Sequence, residues 1–413
     1  VGLVRGDTDW RAATVVRGTP SGALYVVARD PDRLIPTTDL ASARLLAAGV
    51  DPERADAAAG RAPADPTPVR DDALAAAPRT MPAGLAGGPS TLPDTRTAPV
   101  PDVWAVCDGE SPQRPGVVPA AVLGGYPALG RPLGPDEAVL LRGGDGATWL
   151  VAEGRRAAVD PAQGAVVRAL GIAGAPARPA GPALLGTLPV GAPLVPPVIP
   201  GAGAVPSDPA TRTLGLPVGA VARAGADRFL VVLDRGVQEV PDVVAQLVRF
   251  AAPVAGAGPE ITDVGAAALG RVPRALGVDL AAYPRAFPRA LGVAEAPVVC
   301  SAPDPAAARG SAVTVADALP SPVLPTPGPA GQTAVDAVRV AGAGAYVVPV
   351  GPGEPVDPAR GVVVDPVGRL FPVAGERAAA ALGLGTPRPA PRSVVGLLPR
   401  GPTLDLDAAR TLR

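Results

Sequence analysis

Histidine, lysine and asparagine are absent from the 413-residue sequence, so every basic residue is arginine. Without histidine the chain has no Ser-His-Asp or Cys-His relay and no imidazole ligand for a metal. Without lysine it has no Walker A motif, Schiff base or Ser-Lys dyad. The 2 cysteines are too few soft ligands for a structural zinc ion. We therefore predict no catalytic residues, no cofactor and no metal site.

Aromatic residues and net charge are also scarce. Phe, Trp and Tyr make up 3% of the chain, and 37 basic against 38 acidic residues leave a net charge of −1. Nucleic-acid binding needs a basic surface or stacking aromatics, so we predict no nucleic-acid partner. Residues 179–207 carry no charge, but their prolines exclude a transmembrane helix. This segment is predicted to be a linker or the wall of a domain.

One phrase occurs twice, as LLGTLPVGAPL at 184–194 and as VVGLLPRGPTL at 394–404. Upstream of each copy lie a β-branched run, a glycine turn, a second strand and a helix that ends in Leu-Gly, the usual left-handed stop signal. The repeated phrase predicts two copies of one structural unit, with its leucines closing the core of each. Five positions are identical, namely Gly186, Leu188, Pro189, Gly191 and Leu194, which match Gly396, Leu398, Pro399, Gly401 and Leu404.

Two further segments, 22–50 and 228–250, have a strand–turn–strand–helix pattern and are predicted to be partial copies. Cys107 and Cys300 each end a strand that follows a partial copy and precedes a full one. Another Val-rich strand follows each cysteine. Because the order unit, cysteine strand, unit occurs twice, we predict an α+β fold with pseudo-twofold symmetry, in which four small repeat domains surround a central, mainly β domain.

A chain of this length is expected to hold several domains. Equivalent positions in the two halves favour a Cys107–Cys300 disulfide, which would place the chain outside the cytoplasm; two buried reduced thiols are the alternative. The predicted boundaries are 1–93 for repeat unit 1, 94–136 for the first half of the central domain with Cys107, 137–205 for unit 2, 206–292 for unit 3, 293–333 for the second central half with Cys300, and 334–413 for unit 4.

Few polar clusters suggest a binding site. Arg155 and Arg156 are candidate anion contacts, because two guanidinium groups could hold a phosphate or carboxylate; the polar face of a hairpin is the alternative. Residues 142–149 (RGGDGATW) resemble a phosphate-binding loop, but a tight hairpin turn at Asp145-Gly146 is favoured. The carboxylate pairs are predicted to lie in solvated turns or helix caps. These pairs are Asp7/Asp9, Asp71/Asp72 and Asp136/Glu137.

Several motifs occur in an order that resembles one known family. TPSGALYVVARDPDRLIPTTDLASARLL (19–46), VWAVC, FLVVLDRGVQEVPDVVAQLV (229–248), APVVC and LLPRGPTLD span nearly the whole chain. In this order they resemble the extracytoplasmic region of EccB, a core membrane component of actinobacterial type VII (ESX) secretion systems. Two positions depart from the family pattern: Asp39-Leu40 replaces an Asn-aromatic pair, and Ser301-Ala302 replaces an aromatic after the second cysteine.

The resemblance implies a single-pass membrane protein whose bulk is periplasmic, with four repeats around a disulfide-bridged centre and a transmembrane helix N-terminal to this chain. It implies a non-catalytic structural and assembly subunit, with homo-oligomers and other secretion membrane subunits as partners. Because such repeats resemble a cell-wall-binding module of a phage lysin, peptidoglycan binding is an alternative function. ATP hydrolysis is a second alternative, since family members are often labelled ATPases, but no nucleotide-binding motif is present.

Overall fold

Four small β-sheets and one larger central sheet form the framework of the protein. The computed structural model describes residues 9–51, 65–89, 91–93, 103–109, 119–126, 129–251, 261–284, 289–305, 310–320, 323–327 and 334–410. In each small sheet, three consecutive antiparallel strands are followed by a helix and by a fourth strand that runs parallel to the first. The second small sheet has one additional strand, Arg289–Ala290, beside its first strand.

The strands of the four small sheets are short and rich in valine. The first sheet contains β1 Val15–Thr19, β2 Leu24–Ala28, β3 Arg33–Thr37 and β4 Thr67–Arg70. The second contains β8 Glu137–Arg142, β9 Thr148–Ala152, β10 Arg155–Val159 and β11 Arg178–Pro179, with β16 Arg289–Ala290 at its edge. The third contains β12 Val221–Ala224, β13 Arg228–Leu233, β14 Gly236–Val240 and β15 Thr262–Asp263. The fourth contains β21 Ala345–Val350, β22 Val362–Val364, β23 Leu370–Pro372 and β24 Arg388–Pro391.

The helices follow the third and fourth strands of these sheets. Asp39 caps the first helix by accepting a hydrogen bond from the Ser42 amide, and Gly383 ends the helix of the fourth sheet in the predicted left-handed conformation (φ 76°). The helices after third strands are α1 Leu40–Val50, α3 Gly164–Ala169, α6 Asp242–Phe250 and α8 Gly375–Leu382. Those after fourth strands are α2 Asp71–Ala75, α4 Pro182–Thr187, α7 Ala266–Leu269 and α9 Arg392–Val395, and α5 Pro209–Arg212 precedes the third sheet.

The central sheet is assembled from both halves of the chain. Its order is β19-β20-β6-β5-β17-β18-β7, so β20 of the second half pairs with β6 of the first, and β7 of the first pairs with β18 of the second. Each of its edge strands has two residues, one of them proline, which protects the edge from further pairing. The strands are β5 Val103–Gly109, β6 Ala120–Tyr126, β7 Arg131–Pro132, β17 Val298–Pro303, β18 Ser311–Ala316, β19 Leu324–Pro325 and β20 Ala337–Val340.

The small sheets pack in two pairs. Helix α1 of the first contacts α8 of the fourth, and α3 of the second contacts α6 of the third. Each contact has its own apolar core, with Leu45 and Leu382 in one and Val166 and Leu247 in the other. Helices α4 and α9 also meet beside β5, which joins the two pairs at the centre. The predicted pseudo-twofold α+β fold is therefore confirmed, whereas the predicted domain boundaries stay predictions.

The repeated phrase makes the same backbone hydrogen bond in all four units, although sequence identity reveals the phrase in only two of them. After α4, the Pro189 carbonyl accepts a hydrogen bond from Arg156 N–H, and after α9 the Pro399 carbonyl accepts one from Leu370 N–H. The Pro78 and Pro273 carbonyls do the same with Leu34 and Val237 in the first and third sheets. The phrase thus pairs in parallel with the third strand in all four units. The residue before each proline is buried, namely Ala77, Leu188, Val272 and Leu398.

Candidate functional site: the bridged centre and an uncharged surface strip

A disulfide joins the two halves at the middle of the central sheet. Cys107 and Cys300 lie directly opposite each other on the antiparallel strands β5 and β17, and their Cα atoms are 4.0 Å apart. Both are buried among Ala105, Leu123 and Val298. The bond thus joins equivalent strands of the two halves, as the equivalent positions of the two cysteines predicted.

The two predicted anion contacts, Arg155 and Arg156, lie on opposite faces of one strand. They are neighbours on β10, and successive side chains of a strand point to opposite faces. The Arg156 guanidinium lies over the Trp149 ring, 4.5 Å from its centroid, and burial lowers its pKa. Arg155 is exposed and reaches the rim of a separate cavity. Anion binding by either residue stays a prediction. The separate hairpin predicted at Asp145-Gly146 is present, and Gly146 lies in its turn with φ 83°.

The cavity beside Arg155 has a volume of about 580 Å³ and lies between the repeated phrase and the second half of the chain. The phrase supplies Thr187 and Pro189, while Asp304 and Ser393 line the opposite side. Its described lining includes no aromatic side chain, so a sugar ring would find no stacking surface there. The cavity is therefore a groove that is lined by both apolar and polar residues and lies between the two halves of the chain.

Glu137 is less solvated than the sequence indicated. Its side chain is 18% exposed, because Arg131 binds Oε2 at 2.6 Å and Arg289 binds Oε1 at 3.2 Å. Arg131, the Gly134 N–H and Arg289 lower the pKa of Glu137 to about 2. Since Arg289 lies on the strand that pairs with β8, this carboxylate fastens three chain segments together. Of the carboxylates predicted to be solvated, Glu137 and Asp71 are half-buried, whereas Asp9, Asp72 and Asp136 are exposed; Asp7 lies outside the described residues.

The uncharged segment carries four exposed valines after α4. It has no transmembrane helix, and within the described ranges no helix is long and apolar enough to cross a membrane. Leu194 and Ile199 anchor the segment in the core, while Val195 and Val198 lie on the surface, 42% and 88% exposed. We call Val190, Val195, Val198 and Val205 the valine strip.

The metal and cofactor predictions are not tested by the structure. The described part of the chain contains no group of three or more acidic or cysteine side chains placed to hold a metal. A cavity of about 610 Å³ lies beside Cys300 of the central sheet. It is lined by the hydrophobic Leu123, Leu129 and Leu319 and by the charged Arg131, Glu295 and Asp317. Neither observation identifies a reacting group.

Four similar small sheets around a bridged, shared central sheet define a class of duplicated, disulfide-braced α+β repeat proteins. The family model described as "Type VII secretion system ESX-1, transport TM domain B" matches residues 1–413, and the chain belongs to this EccB family. The resemblance seen in the sequence motifs is confirmed by this match.

Curated relatives and solved structures agree with the family. The chain is 33% identical over 420 residues to the "ESX-5 secretion system ATPase EccB5" of Mycobacterium marinum, covering 94% of this chain and 78% of the relative. It is 33% identical to the "ESX-3 secretion system ATPase EccB3" of Mycolicibacterium smegmatis, covering 93% and 74%. Its fold is similar to the periplasmic assembly of an ESX-5 inner membrane complex (TM-score 0.77, 30% identity, 100% and 99% covered). It is also similar to an EccB3 dimer from an ESX-3 core complex (TM-score 0.76, 29% identity, 97% and 100% covered).

Proposed function

We propose that this chain is the periplasmic part of a structural subunit in a type VII secretion membrane complex, without a catalytic role of its own. The observation that carries the proposal is the full-length likeness to a chain of the ESX-5 periplasmic assembly, which covers 100% of this chain. The buried disulfide supports an oxidising location outside the cytoplasm. We also propose a single transmembrane helix N-terminal to residue 1; the transmembrane domain in the family description supports it.

The proposed subunit forms homo-oligomers through the valine strip, and a second copy of this chain is its occupant. Val198, the most exposed member, lies in the 179–207 segment, which has no charged residue, so pairing two such segments buries no charge that belongs to the segment itself. The relative solved as an EccB3 dimer is similar over 97% of this chain. Prolines rigidify the segment, so its ordering costs less entropy on association.

Cysteine cross-linking tests this interface. The 2 native cysteines are bonded to each other, so a single introduced cysteine has no native thiol to pair with. Val190, Val195, Val198 and Val205 would each be replaced by cysteine in the full-length protein within host membranes. We expect at least one variant to form a covalent dimer on mild oxidation. The matched control is Leu276→Cys, which is 92% exposed but lies outside the strip.

A charge substitution gives the complementary result. Val198→Asp should weaken the oligomer because it buries a carboxylate, whereas Leu276→Asp should not. Co-purification in mild detergent then reports whether the protein still enters a large complex with other membrane subunits. No cross-link in any strip variant, with an intact complex after Val198→Asp, would remove the strip from the proposal. A protomer that travels with cell-wall fragments would instead favour the peptidoglycan alternative.

The name ATPase carried by the relatives calls for its own assay. The sequence has no lysine and so no Walker A lysine, and we propose that the purified chain does not hydrolyse ATP. Hydrolysis that follows the protein peak on a sizing column and is lost on Arg155→Ala would overturn this part of the proposal and assign Arg155 a phosphate-binding role. ATP hydrolysis that elutes apart from the protein peak would support the proposal that the chain does not hydrolyse ATP.

A further inference from the structure

Asp108 is a buried acid at the centre of the molecule. It follows Cys107 on β5, and its residue is 1% exposed. Because neighbouring side chains alternate across a strand, Asp108 lies on the face opposite the disulfide, where helix α4 packs against β5. Burying a carboxylate is costly unless its oxygens are well paired. The pairing of this side chain therefore decides how firmly α4 is held.

One carboxylate oxygen is paired and the other is not. Oδ2 accepts a hydrogen bond of 2.6 Å from the N–H of Gly181, the residue that precedes α4. Oδ1 is buried and has no hydrogen-bond partner among the described residues. Nearby, the Arg178 guanidinium donates to the Ala296 and Pro297 carbonyls just before β17. The strand-to-helix corner at 178–182 is therefore bound to both central strands.

The electrostatic surroundings favour the protonated acid. Burial raises the pKa of Asp108 to about 6, the Gly181 N–H and Arg178 lower it, and Asp336 raises it. Arg178 comes from β11 and Asp336 from the residues before β20, whereas α4 and β17 contribute no charged side chain. Folded protein thus binds this proton more tightly than the unfolded chain. The ionised, buried carboxylate therefore lowers the free energy of unfolding above pH 6. This loss of stability is relieved as the pH falls from about 6 toward 3.8.

The second half of the chain lacks this acid. Ser301 follows Cys300 on β17 as Asp108 follows Cys107 on β5. The Ser301 hydroxyl forms a hydrogen bond of 2.8 Å with Ser311 Oγ. Helix α9 corresponds to α4, and the residue before it is Pro391, which has no N–H to satisfy. An ionisable group therefore holds one of two equivalent corners, and a neutral arrangement serves the other.

From this geometry we propose that Asp108 is an acid-tightened latch between the central sheet and the second small sheet. Uptake of one proton by its carboxyl removes an unpaired buried charge while the carbonyl oxygen still accepts from Gly181. The α4 corner is then held more firmly at acidic pH than at neutral pH. This device does not depend on the proposed secretion role, because it concerns only the folded chain.

Denaturant unfolding between pH 5 and 7.5 tests the latch. The linked protonation predicts an unfolding constant roughly tenfold smaller at pH 5 through this group alone. Asp108→Asn keeps an oxygen for the Gly181 N–H but cannot titrate. The ratio of the unfolding constants of wild type and variant should therefore change about tenfold between pH 5 and 7.5. Asp365, whose pKa burial also raises, is present in both proteins and cancels. The matched control Asp336→Asn, at an exposed carboxylate, should keep most of the pH dependence.

Hydrogen exchange locates the effect. After correction for intrinsic rates, peptides that cover residues 180–188 should be better protected at pH 5 than at 7.5 in wild type, and this change should be absent in Asp108→Asn. If that variant does not fold, Asp108→Ser, which copies Ser301, takes its place. Equal pH dependence in wild type and variant, or pH-independent protection of 180–188 in wild type, overturns the latch.

Discussion

Removing the disulfide should lower stability by an amount that its position in the chain determines. Cys107 and Cys300 are 193 residues apart, and the chain-entropy model gives about 5 kcal/mol for a loop of that size. Spread over a cooperative unit of 413 residues, this corresponds to a melting temperature lower by about 6 °C. Because both side chains are buried, the double alanine variant is a cleaner perturbation than serine, which would bury two hydroxyl groups.

The assay is thermal unfolding followed by circular dichroism, with wild type under oxidising conditions as the reference. A wild-type sample reduced in denaturant and refolded with reductant present separates loss of the bond from loss of the sulfur atoms, because the sequence has no other cysteine. The reduced protein and the alanine variant should melt at similar, lower temperatures. Equal melting curves for oxidised, reduced and variant protein would show that the paired halves do not need the bond, and would refute the loop-entropy argument.

Further substitutions test three individual contacts. Arg178→Met should cost about 3 kcal/mol of unfolding free energy in urea, because two buried carbonyls before β17 lose a charged donor. Gly401→Ala should cost about 1 to 3 kcal/mol by calorimetry, since its Cβ would overlap the Phe371 ring, whereas Gly191→Ala, the equivalent position, should be nearly neutral. Glu137 has a lowered pKa, so its stabilisation is present above pH 4.5 and lost toward pH 2; Glu137→Gln should flatten that part of an acid-unfolding curve.

Local signals in the sequence predicted the features that depend on neighbouring residues. Gly383 ends its helix because a left-handed residue costs glycine nothing, and Asp145-Gly146 makes a hairpin for the same reason. The cysteines were informative because they are rare and occupy equivalent strands. The family motifs added the overall arrangement, which no local pattern contains.

Features held together by backbone hydrogen bonds or distant charges were not visible in the sequence. Of the five shared positions, the first unit keeps only the proline, Pro78, and the third keeps Gly270 and Pro273. The backbone bond is nevertheless present in both, because a carbonyl can accept a hydrogen bond whatever the side chains are. The parallel strand Thr262–Asp263 is two residues long and has no periodicity to detect. Asp108 acquires its raised pKa from burial, and burial depends on contacts with residues far along the chain.

The contacts between the halves also predict how the chain can be divided. Strands β20 and β7 each complete the sheet beside a strand of the other half, and the helix pairs α1–α8 and α3–α6 cross between halves as well. A fragment of residues 1–205 or 206–413 would expose those apolar faces, although the boundary lies in an exposed segment where Val205 is 75% exposed.

We therefore expect neither half to unfold cooperatively alone, whereas the two halves produced together should form a disulfide-linked complex with the melting behaviour of the intact chain. The control is a nick introduced by a protease site at 205 in the folded protein, which should leave stability almost unchanged. A cooperative thermal transition in either isolated half would contradict the exchange of β7 and β20 between the halves as the source of stability. The duplication would then join two self-sufficient domains, and the predicted boundary would mark a domain boundary.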